Sequence, residues 1–339
     1  MHTLRLFVLA LSTLFIPVSL LGQSLDTTGI DEGLGRSGQK TGEVYKLSFP
    51  RTDLHVTVNG VAIKAGLALG SWAAFSGTND KAMVMGDLVL LEGELNPVMK
   101  KLRDAGFEVT AVHNHLFDEA PRVMYMHYMG EGNANQLAKS LHDALAASKT
   151  PLGKPASPPA EAATPAWVKA VQDAVGREGA YKGGVLSFAV PRSNAITMRG
   201  TTITPAQGVA ESINFQEAGT GKVATTGDFV LTADEVNPVI SALEENQISI
   251  TALHSHMLRE EPRLFFMHFW GTGSAEAVGG AIKAALRRLQ PSRAAFTVPL
   301  GDSAWLSRRS VAGCPEPMRQ VAHAGYETAR SNRPYFGLI

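Results

Sequence analysis

The sequence predicts an α+β protein built from two tandem copies of one domain, each a mixed or antiparallel sheet packed with helices. Three observations carry this. The chain repeats itself at an offset of 141 residues: in the window of 45 positions from Gly86 to Gly130, 19 residues recur in the window that starts at Gly227. Within each copy, stretches with the two-residue period of strands alternate with stretches of helical period. The chain has 339 residues, 45% apolar and 18% charged, enough for two buried cores and unlike a disordered chain or a membrane bundle.

In chain order, Val44 to Phe49, His55 to Val58 and Ala82 to Leu90 read as strands. Glu92 to Asp104 has the helical period and is stopped by Gly106. Asn96-Pro97, like Asn237-Pro238, reads as a helix cap followed by proline in the first turn. Phe107 to Leu116 alternates as a strand, a turn at Pro121 reverses the chain, and Val123 to Met129 returns beside it. Asn133 to Ala147 closes the copy as an amphipathic helix. Copy two repeats the order, with Asn246 near its helix end and Ile248 to Met257 as the strand. The domains are therefore 25–148 and 168–290, joined by a Pro- and Ala-rich spacer at 149–167, with a tail at 291–339 that shows no period.

Arg5 precedes an apolar run from Leu6 to Leu21, and the small residues Gly22 and Ser24 follow it. This is the layout of a secretory signal peptide, cleaved after Ser24. The run falls short of the about 20 residues of a membrane span, and Pro17 interrupts it. The expectation is a periplasmic or secreted protein with no stable membrane insertion after cleavage. Cys314 is the only cysteine, so no intramolecular disulfide can form. Thirty-one basic and thirty-one acidic residues cancel, which leaves no field to hold a polyanion. Nucleic acid is not an expected partner; a small molecule or an envelope component is.

The chemistry concentrates in Ala111-Val-His113-Asn-His115-x3-Glu119-x-Pro121-Arg122-x4-His127 and its recurrence Ala252-Leu-His254-Ser-His256-x3-Glu260-x-Pro262-Arg263-x4-His268. Six of the ten histidines lie in these two windows. Strand alternation puts His113 and His115 on one face, with Val109 and Ala111, and the returning strand adds His127, Tyr125 and Met129. Copy two offers Phe266 and Trp270 instead. Three imidazoles on an apolar face suit a divalent transition metal, zinc or copper, with His113, His115, His127, His254, His256 and His268 as ligands. Glu119 and Glu260 sit in the turns as fourth ligands or as general bases acting on water at the metal. A structural histidine cluster and metal-free acid–base catalysis are the alternatives.

Asp87 and Asp228 read as turn or bulge residues that can also reach the site, and Arg122 and Arg263 as partners of Glu119 and Glu260 across the turn. The two halves are expected to pack together with unequal sites, copy two being the more enclosed because of Trp270.

Val44-Tyr-Lys-Leu-Ser-Phe-Pro-Arg51, Ala82 to Leu90 with Asn96-Pro97, and Thr251-Ala-Leu-His-Ser-His-Met257 through Pro262 to His268 resemble the LppY/LpqO family of exported bacterial proteins over residues 28–148 and 166–290. The resemblance implies export and a doubled domain, with no established activity. The family's lipoprotein members carry a lipid-attached cysteine, which this chain lacks. His113-x-His115-x3-Glu119 is also similar to the first cupin motif. The second cupin motif is missing and a helix precedes the histidine strand, so only the metal analogy transfers.

Overall fold

A computed structural model describes residues 24–154 and 163–289. The signal-like start, the middle of the spacer and the tail with Cys314 lie outside the described residues. Among those described, no helix is long and apolar enough to cross a membrane.

Repeat one runs α1 (Thr27–Leu34), β1 (Gln39–Thr41), β2 (Val44–Pro50), β3 (Thr57–Val58), β4 (Val61–Ala62), α2 (Ala65–Ala68), β5 (Gly70–Gly77), β6 (Ala82–Leu91), α3 (Glu92–Asp104), β7 (Glu108–His113), β8 (Glu119–Ala120), β9 (Val123–Gly132) and α4 (Ala134–Leu145). Repeat two runs α5 (Ala166–Val175), β10 (Ala180–Lys182), β11 (Val185–Pro191), β12 (Ile196–Met198), β13 (Thr201–Ile203), a 3-10 turn at Pro205–Gln207, β14 (Ala210–Glu217), β15 (Val223–Leu231), α6 (Ala233–Glu244), β16 (Ser249–His254), β17 (Glu260–Glu261), β18 (Phe265–Gly273) and α7 (Ala275–Leu286). Each repeat forms a six-stranded antiparallel sheet, in the orders β1-β2-β5-β6-β9-β7 and β10-β11-β14-β15-β18-β16. The fold is α+β with two tandem repeats.

One face of each sheet is covered by its own helices. In repeat one, Ile30 and Leu34 of α1, Val98 and Leu102 of α3 and Leu141 of α4 pack on Leu47, Phe75, Val84, Met126 and Tyr128. Repeat two builds the same core with Val171, Val239 and Ile282 against Phe188, Phe215 and Phe269. Burying side chains of this size contributes about 1.5–3 kcal/mol each, which fixes the helices to the sheet.

The other two faces turn toward one another, and each is capped by a loop from the opposite repeat. Val56, Val58, Ile63 and Leu67 of repeat one pack with Val185, Ala224 and Trp270 of repeat two. In return Ile196, Met198, Ile203 and Val209 pack with Met83, Met85 and Met129. Polar contacts tie the exchange: Gln216 accepts from Lys64 N at 2.8 Å and donates to Ala62 O at 2.9 Å. Asn214 donates to Leu67 O at 2.9 Å. Both repeats lie in one compact unit.

Three details differ from the sequence reading. Pro97 and Pro238 sit inside α3 and α6, beyond the first turn, and the caps come instead from Glu94 and Glu235, which accept from Leu91 N at 2.9 Å and Thr232 N at 2.7 Å. The ladder between β7 and β9 slips between Val109 and Ala111, so Val109 packs on the helix side rather than among the histidines. The strand read at His55 to Val58 is only Thr57–Val58.

Candidate metal centre

Cross-strand register assembles the site. Asp87, His127 and Ala111 form one row across β6, β9 and β7, and Tyr125 stands opposite His113. Asp228, His268 and Ala252 form the same row in repeat two, with Phe266 opposite His254. Residues opposite one another share a face, so each repeat points three histidines and one aspartate at the other. Gly86 and Gly227 precede the aspartates because a Cβ there would run into the Trp72 and Ser212 carbonyl oxygens of the neighbouring strands.

The two sets meet ring on ring. His113 stacks on His254, His115 on His268 and His127 on His256, each pair with centroids 3.6 Å apart. Tyr125 extends one stack at 3.3 Å from His115, and Phe266 extends the other at 3.7 Å from His256. Counterparts exchange partners across the contact, as they do about a twofold axis. The backbone obeys the same relation: Thr110, the bulge residue, donates to the His256 carbonyl at 2.7 Å, and its counterpart Thr251 donates to the His115 carbonyl.

The donor set suits a metal. All six Nε2 atoms are buried and none has a hydrogen-bond partner. His113 and His254 turn Nδ1 to the carbonyls of Asn114 and Ser255, at 3.3 and 3.4 Å, and His268 turns Nδ1 to Gly227 O at 3.1 Å. Donation from Nδ1 leaves the Nε2 lone pair free as a ligand. Burial is the main force keeping five of the rings neutral: it lowers His127 to about 3 and His254 to about 4, and holds His113, His115 and His256 far below the ordinary imidazole value. Ligand atoms of His113, His115 and His127 lie within 4.8 Å of one another, as do those of His113, His254, His256 and His268. Two nitrogens on one zinc ion are at most about 4.2 Å apart, so small side-chain shifts close the group of three, whereas the group of four holds the stacked pair His113 and His254, which would have to unstack first. Left without an ion, each unpaired buried nitrogen costs about 1–3 kcal/mol.

The aspartates, read from the sequence mainly as turn residues, are strand residues beside the rings. Asp228 Oδ1 lies 2.8 Å from His268 Nδ1, off the line of that N–H, and Asp87 Oδ1 lies 3.7 Å from His127 Nε2. Burial and the charge of Asp228 push the Asp87 carboxyl well up; burial acts the same way on Asp228, but the histidines, His268 foremost, bring it below the usual carboxylate value.

Glu119 and Glu260 are not among the groups with converging ligand atoms in the described residues. Glu119 accepts from Val123 N at 3.1 Å and keeps Oε2 buried without a partner, and burial raises it to about 7. It borders a separate cleft lined by Asn114, Phe117 and Arg122. Glu260 accepts from Leu264 N and Arg263 Nη1, both at 3.1 Å. Arg263 thus pairs as expected, whereas Arg122 is turned to Glu92 at 3.8 Å.

A family model described as Domain of Unknown Function (DUF1259) matches residues 28–147 and again residues 169–288. The chain belongs to this family. No curated protein matches it. Among solved structures, it is similar to the trimeric bacterial microcompartment shell protein PduB, at 10% identity over 75% of this chain and 89% of that one, with a TM-score of 0.18. EtuB from Clostridium kluyveri matches at 8% identity over 74% and 88%, with a TM-score of 0.17. TP0453 matches at 13% identity over 77% and 98%, also with a TM-score of 0.17. Scores this low carry no argument about fold or function.

The two DUF1259 domains differ in how they wall the cluster. A cleft of about 790 Å³ with walls from both domains reaches Asp87, Asp228 and His115. Beside His127 and His256 only about 20 Å³ remains, lined by Met85, Gln207 and Trp72, which also borders the large cleft. Enclosure therefore differs by side and not by copy. Trp72, at the register position where domain two has Ser212, fills the space beside His127 and stands between it and the large cleft, while Trp270 packs under the first domain's loop. Lys46 reaches over Trp72 at 4.1 Å beside the cleft, and burial lowers it to about 8.

Proposed function

We propose that this DUF1259 protein is exported and binds zinc or copper at one histidine centre between its two domains. The observation that carries the reading is the set of six buried Nε2 atoms without partners. Neutral imidazole is the ligand these metals accept most readily. When bound, such an ion acts as a Lewis acid toward a carbonyl or phosphoryl oxygen. The cleft gives a small polar molecule a route to His115, with Asp87 and Asp228 at its wall. Of the two hairpin carboxylates proposed as bases, Glu119 keeps a free oxygen and near-neutral acidity but borders a different cleft from the one that reaches His115, while Glu260 is held by Arg263 and Leu264. The cleft and its two aspartates support metal-dependent hydrolysis of a small molecule as the activity.

The second reading is a non-catalytic module that sequesters metal or an envelope ligand. Burial favours it, since His115, His127, His256 and His268 are each less than a tenth exposed. Export rests on the Leu6–Leu21 run and on the resemblance to the LppY/LpqO family. The balanced charge supports a partner other than nucleic acid.

The test is metal analysis of the purified full chain, followed by titration of the stripped protein with Zn(II) and Cu(II). At least one equivalent should bind and raise Tm. A chain that takes up neither ion has a structural histidine cluster. Release of a chromogenic phosphoester or ester leaving group by the loaded protein alone separates hydrolysis from sequestration.

A further inference from the structure

The histidine cluster is too large for one ion, and its symmetry divides it. We propose that the centre is dinuclear, with one transition-metal ion on His113, His115 and His127 and a second on His254, His256 and His268. The inference rests on the metal reading above and adds the number of ions and the ligands of each.

An ion bonds an imidazole nitrogen along a lone pair in the plane of the ring. Stacked rings have their lone pairs in separate, nearly parallel planes, so one ion cannot lie in both. Three of the five ring contacts between the trios are of this kind, at 3.6 Å with 21° to 26° between planes; the other two set His113 at 5.1 Å from His256 and 5.6 Å from His268. Each pair at 3.6 Å is therefore split between two ions or leaves one ring unused.

Within a trio the spacing is that of a shared ion. His113 lies 5.1 Å from His115 and 5.0 Å from His127, with planes 11° and 16° from parallel. His254 lies 5.0 Å from His256 and 4.9 Å from His268, and those two, 5.9 Å apart, would have to close by a few tenths of an ångström to share an ion. Three imidazoles bound at 2.0–2.1 Å place their ring centres about 5–5.5 Å from one another. Trios stacked at 3.6 Å would bring their ions to about the 3.5–4 Å separation of two-metal sites.

The charges are arranged in pairs as well. Two divalent ions bring four positive charges into a buried space, and each trio has one aspartate on its own row, Asp87 beside His127 and Asp228 beside His268. The competing arrangement is a single four-coordinate ion on His113, His254, His256 and His268. It leaves out His115 and His127, and so makes a different prediction for their removal.

The experiment titrates the stripped full chain with Zn(II), and separately with Cu(II), and counts ions per chain. Two should bind to the wild type and one to His115→Ala or His254→Ala, and the Cu(II)-loaded wild type should show the spin–spin coupling of neighbouring ions by electron paramagnetic resonance. His127→Ala serves in place of His115→Ala should the latter not fold, as judged by circular dichroism. One ion in the wild type, retained in His115→Ala and His127→Ala, establishes the four-histidine site and overturns the dinuclear assignment while metal binding stands. No ion in the wild type overturns both.

Discussion

His113 and His254 stand 141 residues apart in the chain and face to face in the fold, their ring centres 3.6 Å apart. Each is the other's counterpart, so the pseudo-twofold axis passes between them. What disturbs one domain's histidines disturbs both.

Replacing His115 with alanine should sharply reduce the rise in Tm on adding Zn(II), yet cost the stripped protein less than a typical core truncation. The ring is buried between Tyr125 and His268, but its unpaired nitrogen leaves with it. Phe75→Ala, in the helix-side core, is the control, at about 3–5 kcal/mol. Urea unfolding of both variants checks the order; an equal loss would mean that the cluster is packed for stability.

Acid should destabilise the stripped chain. The folded values of His127 and His254, about 3 and about 4, lie below the roughly 6.5 of an unfolded histidine. A group lowered by folding contributes stability that is present above its unfolded value and is lost as pH falls toward the folded one. His113, His115 and His256 act in the same direction. Buried Glu119, Glu211 and Asp87 are raised and oppose them, three groups against five. Thermal melts should show Tm falling between about pH 6.5 and 4, and bound metal should flatten that fall. A pH-independent Tm across this range would contradict the burial of neutral rings.

Neither half should be well behaved alone. Residues 25–150 and 163–339, expressed separately, each lose the partner loop that covers their inner sheet face. They should self-associate, or form a one-to-one complex when mixed, and bind Zn(II) more weakly than the full chain. Sedimentation of the separate and mixed halves tests this, and two monomeric halves of full affinity would refute it.

Arg51→Met should be among the most damaging single changes. Arg51 is fully buried and binds Asp53 at 2.9 Å, Glu94 at 2.8 Å and Val89 O at 2.7 Å, so its loss strands acceptors inside the protein. Breaking a buried pair in this way costs about 3–5 kcal/mol. Lys100→Ala, which breaks the exposed pair with Asp104, should cost less than about 0.5 kcal/mol. Chemical denaturation of the two variants measures the contrast.

The repeat, the α3 span from Glu92 to Asp104 and the six histidines were legible because each depends on local pattern. Strand β5, Gly70–Gly77, has too many small residues to show a strand period, and its side chains are ordered by its neighbours. The bulge at Thr110 was hidden because a one-residue slip is decided by the partner strand and leaves no mark on composition. Asp87 was underrated for a related reason: its place beside His127 depends on register across two strands that are distant in sequence. Above all, a strand pattern specifies which residues share a face but not what that face meets. Here it meets the other copy.

The crossed loops have a bearing on how the site survives dilution. With a single repeat per chain, this contact would need two molecules, and a histidine centre on the axis would fall apart whenever the dimer did. Joining the repeats covalently makes their meeting a property of one molecule, with an effective concentration on the order of millimolar for a short linker, however dilute the protein. It also releases the copies from being identical. A symmetric dimer cannot carry Trp72 at one register position and Ser212 at its counterpart; a fused pair can, and so can leave about 790 Å³ beside His115 and only about 20 Å³ beside His127 and His256.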